Sequence, residues 1–413
     1  MLLVDINSYF ATLLQQENPK LRGKPVVIVK DLGRTCVIAA SKEAKKMGVK
    51  TGCNIVRARQ LAPQLIEMKA EFDLYLSATK KLSSLFLNLA PKVEVYSLDE
   101  AFIDVSDCRQ NLYPDLKKLG VKIQKLIKNN LGEWVTANVG IGPNRLLAKM
   151  AAEIAPKESV FEIDQHNRDA ILATVGFEDV CGIGIRLASK LARMNVFHPY
   201  QIRFYALEDL EPFFGPFWSR ELLKIAYGKE PHHFRLLNDP GFLQQKMKSV
   251  SRSITLWDLV HDQDEIRCVL YNLAQEVIYK VRRMGMSGRR ISISLYGSDH
   301  QTWRYAQTFQ CFIDHRRQLF DFIEKNLSQH WQQQFAPIKF KISLKLLKSN
   351  KVITPSLLPC WQKHEAIETA MDQITDKYGL FTIRSGRLLD KKKLIQPEVT
   401  GFLGDKDYQF NFR

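Results

Sequence analysis

No two cysteines in this 413-residue chain are spaced as Cys-x-x-Cys, and the seven present (Cys36, Cys53, Cys108, Cys181, Cys268, Cys311 and Cys360) are odd in number and widely scattered. That argues against a disulfide framework and against a structural zinc site, and leaves the thiols as small buried hydrophobes. No apolar run approaches the roughly 20 residues needed to cross a bilayer. The opening "MLLVDINSYF" lacks a basic segment and a cleavage site, so the expected location is the cytoplasm. Internal repeats of solenoid length and low-complexity tracts are missing as well. What remains is the composition of a soluble globular protein, 45% hydrophobic and 25% charged, too long for one ordinary core.

Acidic residues are outnumbered by basic ones, 44 to 60, for a formal charge of +16. Such a field attracts polyanions, nucleic acid foremost; an anionic membrane surface ranks second for want of a basic amphipathic anchor. The excess is uneven. Residues 244–348 hold 17 lysines and arginines against nine aspartates and glutamates, a net +8 in about a quarter of the length.

Periodicity divides the chain into five stretches. "LLVDI" reads as a buried strand, and "LRGKPVVIVK" with "RTCVIAASKEAKKMGVKTG" as strand, turn, strand and helix, with Gly48 and Gly52 as stops. Residues 70–163 alternate helix and strand, an α+β layer of antiparallel strands with helices on one face. The region 164–238 reads as short helices around "VCGIGIRLASKLARMNV", and "LNDPGFLQQ" as a linker. Residues 247–348 follow a β-α-β-β-α-β order. Their first helix puts Ile266, Val269, Leu270, Leu273 and Val277 on one face. In the last strand Phe340, Ile342, Leu344 and Leu346 alternate with Lys339, Lys341, Ser343 and Lys345, apolar set inward and lysines outward. Residues 349–413 include a helix over 361–377.

One stretch violates its surroundings. "VYSLDEAFIDV" places Asp99 and Glu100 together inside an apolar run, with no Lys or Arg within three residues of either. Burying either ion unpaired costs several kcal/mol, so a positive partner must come from elsewhere in the fold or from solution. A third carboxylate, Asp5, ends the first strand. If the two strands are neighbours, three carboxylates converge on one sheet edge, a donor set suited to Mg²⁺ and phosphoryl transfer. The alternative is a solvated hairpin turn.

"YSLDEAFIDV" together with "VDINSYFATLLQQENPKLRGKPVVIV" resembles the Y-family DNA polymerases, the translesion enzymes that include bacterial polymerase IV and the UmuC subunit of polymerase V. The likeness continues in order through "VIAASKEAKKMGVKTG", "VGIGPNRLLAKMAAE" and "GIGIRLASKLA", and more loosely to about residue 348. The resemblance implies a right-hand, multidomain α+β fold: palm 1–9 and 70–163, small fingers 10–69, helical thumb 164–238 with a helix-hairpin-helix, little finger 247–348, and a tail 349–413. It implies a template-directed, low-fidelity DNA polymerase without proofreading. Two Mg²⁺ ions would be held by Asp5, Asp99, Glu100 and the Ile6 carbonyl.

By the same resemblance Asn7, Ser8, Tyr9, Phe10, Lys42, Lys45 and Lys157 would meet the incoming deoxynucleoside triphosphate, Phe10 as the gate against a 2′-hydroxyl. The chain departs from polymerase IV types at Lys42 and Lys45, where those usually have Tyr and Arg. At "AEIAPKESV" the lysine is shifted one place past Pro156. Primer-template DNA would meet Lys149, the Gly182 and Gly184 hairpin, and Lys248, Arg252, Arg289, Arg290, Lys339, Lys341 and Lys345. The terminal "QFNF", Gln409 to Phe412, resembles a sliding-clamp peptide. Two other readings stay open: a catalytically weak UmuC-like scaffold, and a nucleotidyl cyclase on a similar palm.

Overall fold

A computed structural model describes residues 1–30, 36–107, 112–232, 248–331, 335–354 and 359–386. The linker expected at 237–245 and the peptide at Gln409–Phe412 lie outside them. The chain divides into two compact units, one through Leu243 and one from Gln244.

The first unit is built on strand β1 (Leu2–Ile6), with α1 (Tyr9–Glu17) after it. Leu2, Leu3 and Val4 are all buried, as a strand covered on both sides requires. A second sheet has β2 (Val26–Val29) between β3 (Ala39–Ala40) and β4 (Ile66–Lys69), with short helices α2 (Lys42–Lys46) and α3 (Ile55–Leu61) attached. After α2 the chain turns at Gly48 and Gly52, both at positive φ that a side chain disfavours. Then follow α4 (Phe72–Leu87), β5 (Lys92–Val95), β6 (Glu100–Asp104), α5 (Leu116–Leu131), β7 (Ala137–Ile141), α6 (Arg145–Ile154) and β8 (Val160–Glu162). The main sheet runs β5-β6-β1-β7-β8, so β1 is central and β6 is its antiparallel neighbour.

Two expectations are corrected here. The sheet is mixed, because β8 pairs parallel to β7. Helices cover both of its faces: Leu2, Val4, Ile6 and Ile103 pack toward α4 and α5, while Leu3 and Phe102 point the other way into a core with Leu146, Leu147, Met150 and Ala151 of α6. That second core continues into α7 (Arg168–Thr174), α8 (Ile185–Ala192) and α9 (Leu207–Ala226), the last broken at Gly215 between Pro212 and Pro216.

The second unit has the order β9 (Ser249–Thr255), α10 (Gln263–Arg283), β10 (Met286–Tyr296), β11 (Thr302–Ile313), α11 (Arg316–His330), β12 (Lys339–Lys345), the β-α-β-β-α-β pattern read from the sequence. Its antiparallel sheet runs β11-β10-β12-β9. Ile266, Val269, Leu270, Leu273 and Val277 are buried as expected, but so are Cys268, Asn272, Gln275 and Glu276. The helix α10 is enclosed nearly all round because α12 (Pro359–Tyr378) covers part of its remaining side. Arg282 of α10 pairs with Glu365 and Asp372, and Arg316 of α11 with Glu368 and Asp372. Leu346, read as a core residue, is exposed; β12 ends at Lys345 and Leu346 turns away at φ 54°.

Candidate active site and nucleic-acid interface

Antiparallel pairing sets Asp5 opposite Glu100, and the Ile6 N–H donates to the Asp99 carbonyl at 3.0 Å. The local sequence dictates this. The apolar stretches Leu2–Val4 of β1 and Ala101–Ile103 of β6 stay inside the sheet, so Asp5 and Glu100 fall together at one end of the pair, with Asp104 at the other. One carboxylate oxygen each from Asp5, Glu100 and Glu153 lie within 4.8 Å of one another. Asp99 stands beside this trio, its carboxylate accepting from the Ser97 hydroxyl at 2.5 Å, while Ser97 also reaches Glu100 at 3.3 Å.

Burial, then the charges of Glu100 and Asp99, push the Asp5 carboxyl up to about 7. Burial likewise raises Glu100, against the opposing pull of Lys149. The compensating charge that Asp99-Glu100 demanded is thus partly internal: Lys149 forms an ion pair with Glu100 and lies 3.9 Å from Glu153. Burial alone would lower the Lys149 ammonium, but Glu100 leads the neighbours that outweigh it and hold it above its ordinary range.

Close helix–sheet approach makes that contact possible. A Cβ on Gly140 would come 2.0 Å from the Ala148 carbonyl oxygen, and one on Gly142 would come 2.6 Å from the Ala148 nitrogen. Only glycine lets α6 lie so near β7. Asn138, opposite Asp5 in register, then ties the pieces together. Its amide donates to Ala152 O at 3.0 Å, and its oxygen accepts from the Glu158 N–H at 2.8 Å and from the Asn7 amide at 3.3 Å.

Asn7 is buried in that bond, so its side chain faces inward. Tyr9 is 1% exposed, its hydroxyl donating to Tyr75 O at 2.7 Å and paired with Thr79 at 2.8 Å. Both side chains thus face inward and support the turn at Ser8. Ser8 adopts φ 52°, and its hydroxyl accepts from Lys45 at 2.9 Å. Partial burial, then the like charge of Lys157, lower the Lys45 ammonium, with Asp5 and Asp99 opposing. Lys45, Lys157 and the carboxylates therefore share one electrostatic neighbourhood. Phe10 is half-buried, edge-on to Tyr75 at 4.5 Å between centroids. Lys42 is paired with Glu158 at 2.6 Å.

Lys149 was expected on DNA; it is 8% exposed and turned into the carboxylates. Gly182, at φ 93°, and Gly184, the N-cap of α8, form an exposed hairpin around buried Ile183. In the second unit, pairing registers align Ser249, Ser251, Ser253 and Thr255 of β9 with Lys345, Ser343, Lys341 and Lys339 of β12. These in turn align with Arg290, Ser292, Ser294 and Tyr296 of β10, then Thr308, Ala306, Arg304 and Thr302 of β11. This face, away from the helices, carries five cations and no carboxylate at those positions.

Arg252 is corrected: on the opposite phase of β9 it is 3% exposed and paired with buried Glu276 at 2.6 Å. Arg289 donates to Phe309 O at 3.1 Å, and Lys248 is exposed just before β9. Reading from sequence missed Glu153, Asn138 and Arg304. Helical spacing from Lys149 would have found Glu153, and period two between Trp303 and Tyr305 would have found Arg304. Nothing local marks Asn138.

Residues 4–153 match the impB/mucB/samB family, and residues 247–354 match the impB/mucB/samB family C-terminal domain. The chain is 31% identical to DNA polymerase IV of Pelotomaculum thermopropionicum over 93% of its length and 94% of that relative. It is 30% identical to DNA polymerase IV of Moorella thermoacetica, over 92% and 93%. Among solved structures it resembles a Y-family DNA polymerase chimera, with 25% identity and a TM-score of 0.71 over 84% of this chain and 99% of that one.

Proposed function

The chain belongs to the impB/mucB/samB family of Y-family translesion DNA polymerases, and from that premise we propose which of its residues carry each part of DNA-directed DNA synthesis. The observation that supports the reading best is the carboxylate cluster at the end of the β1–β6 pair, whose charge Lys149 only partly balances.

An all-oxygen donor set of crowded carboxylates fits a hard divalent cation. Asp5, Asp99 and Glu100, with the Ile6 carbonyl, would hold two Mg²⁺ ions. When bound, these ions supply Lewis-acid activation of the primer hydroxyl and charge neutralisation at the reacting phosphate. The protein's own part is positional. Asp5 and Glu100 are fixed by strand register, and Ser97 orients Asp99. Lys45 and Lys157 offer positive charge to the triphosphate, with Ser8 setting the direction of Lys45. Lys42 would join them only by leaving Glu158. Phe10, braced by Tyr75, would exclude a 2′-hydroxyl.

Primer-template DNA would lie on the open sheet face through Arg290, Arg304, Lys339, Lys341 and Lys345, and on the Gly182–Gly184 hairpin. Such phosphate contacts position the duplex without reading sequence. Residues 1–9 and 70–163 would act as palm, 10–69 as fingers, 164–238 as thumb and 247–348 as little finger. Gln409 to Phe412 would engage a sliding clamp.

Primer extension on intact and abasic templates tests the proposal. Asp99→Ala should abolish extension on both while leaving the protein folded and bound to DNA; retained extension would refute the carboxylate assignment. Phe10→Ala should raise ribonucleotide insertion, and an unchanged sugar preference would reject the gate.

A further inference from the structure

We propose that Lys149 is an internal counter-cation of the carboxylate site, seated on Glu100 until a divalent cation enters and then transferred to Glu153. The proposal rests on the reading of Asp5, Asp99 and Glu100 as cation ligands.

Three observations carry it. First, the Lys149 ammonium contacts Glu100 itself, an oxygen donor the cation needs. An entering divalent cation must compete with the ammonium for that oxygen and is repelled by its charge, so its binding favours a shift of Lys149 away from Glu100. Secondly, a second acceptor is already at hand. Glu153 lies one helical turn along α6, 3.9 Å from the ammonium, and its side chain is 43% exposed against 13% for Glu100. Moving toward Glu153 takes Lys149 from a drier carboxylate to a wetter one without a change of backbone. Thirdly, the Tyr96 ring lies 5.4 Å from the same ammonium, a face that favours keeping the cation within the site.

Lys149 thereby keeps the carboxylates assembled when no ion is bound, and it sets a threshold that an entering cation must exceed. A lysine fixed by the Gly140 and Gly142 approach cannot diffuse away, so the competition is built into every turnover.

The test is Mn²⁺ binding to the full chain without DNA or nucleotide, followed by the electron paramagnetic resonance of free Mn²⁺, with Asp5→Asn defining the site. Lys149→Met should bind Mn²⁺ at least about tenfold more tightly, since a competing unit charge a few ångströms away is gone. It should also melt earlier than wild type in chelator, the gap closing as Mn²⁺ is added. Lys149→Gln serves if the Met variant does not fold. Glu153→Gln should weaken binding several-fold in the wild-type background and have no effect in the Lys149→Met background. Unchanged or weaker binding by Lys149→Met overturns the proposal. Equal losses from Glu153→Gln in both backgrounds overturn it too, because Glu153 would then act on the ion directly. Mn²⁺ binding insensitive to Asp5→Asn would instead sink the cation-site reading itself.

Discussion

Asp5 is held where its charge is unwelcome, and that has a measurable consequence. Its folded carboxyl titrates at about 7 against an ordinary value near 3.8, with burial the leading cause. The folded state therefore favours the protonated form, and this group's contribution to stability is present below about pH 4 and lost as pH rises through about 7. In chelator, Asp5→Asn should melt above wild type at pH 8, by at most about 4 kcal/mol of stability, with the difference vanishing toward pH 4. Calorimetry at several pH values checks it; a pH-independent difference would contradict the raised carboxyl. The same variant should abolish extension, the usual exchange of stability for function at a site. At this scale the sequence was informative where chemistry broke a pattern. Two acids inside an apolar run stood out, whereas the inward direction of the Tyr9 and Asn7 side chains could not be read from a motif.

At the scale of elements, spacing between neighbours decides what a residue can do. Gly140→Ala would force α6 away from β7, and overpacking of this kind costs about 1–3 kcal/mol. Because α6 carries Lys149 and Glu153, extension should fall further than stability alone explains, while DNA binding through the second unit stays near wild type. Melting curves and single-turnover rates measured together test this. The phase of β9 is equally decisive. Arg252→Met breaks a buried pair with Glu276 and should destabilise the second unit by about 3–5 kcal/mol without lowering the salt sensitivity of DNA binding. Lys341→Ala should do the reverse, lowering the slope of log affinity against log salt by roughly 0.9 while melting normally. Binding titrations at several salt concentrations separate the two. Period two placed the lysines of β12 on the open face and, carried across to β9, would have placed Arg252 inside with Val250 and Ile254. Applied strand by strand, the pattern was readable; charge clustering alone was not enough.

At the scale of the molecule, the excess positive charge is not spread evenly, and the sheet of the second unit concentrates cations opposite its helices. DNA affinity of the full chain should fall steeply with salt, and a flat response would exclude this face as the track. Deleting the last five residues should abolish clamp-stimulated extension and leave unstimulated extension unchanged. The sequence by itself marked the strand and helix order of the second unit, a linker at residues 237–245, the charge asymmetry, and Asp5, Asp99 and Glu100 as carboxylates that would converge if their strands were neighbours. Those follow from local periodicity and from the energetic oddity of like charges in an apolar run. Only the tertiary structure decided that Lys149 and Glu153 join the carboxylates, that Arg252 is inside, and that α6 covers the second face of the main sheet. Each of these depends on distance between segments far apart in the chain, and such distances are set by packing, down to a missing Cβ at Gly140, rather than by any property of the residues taken in order.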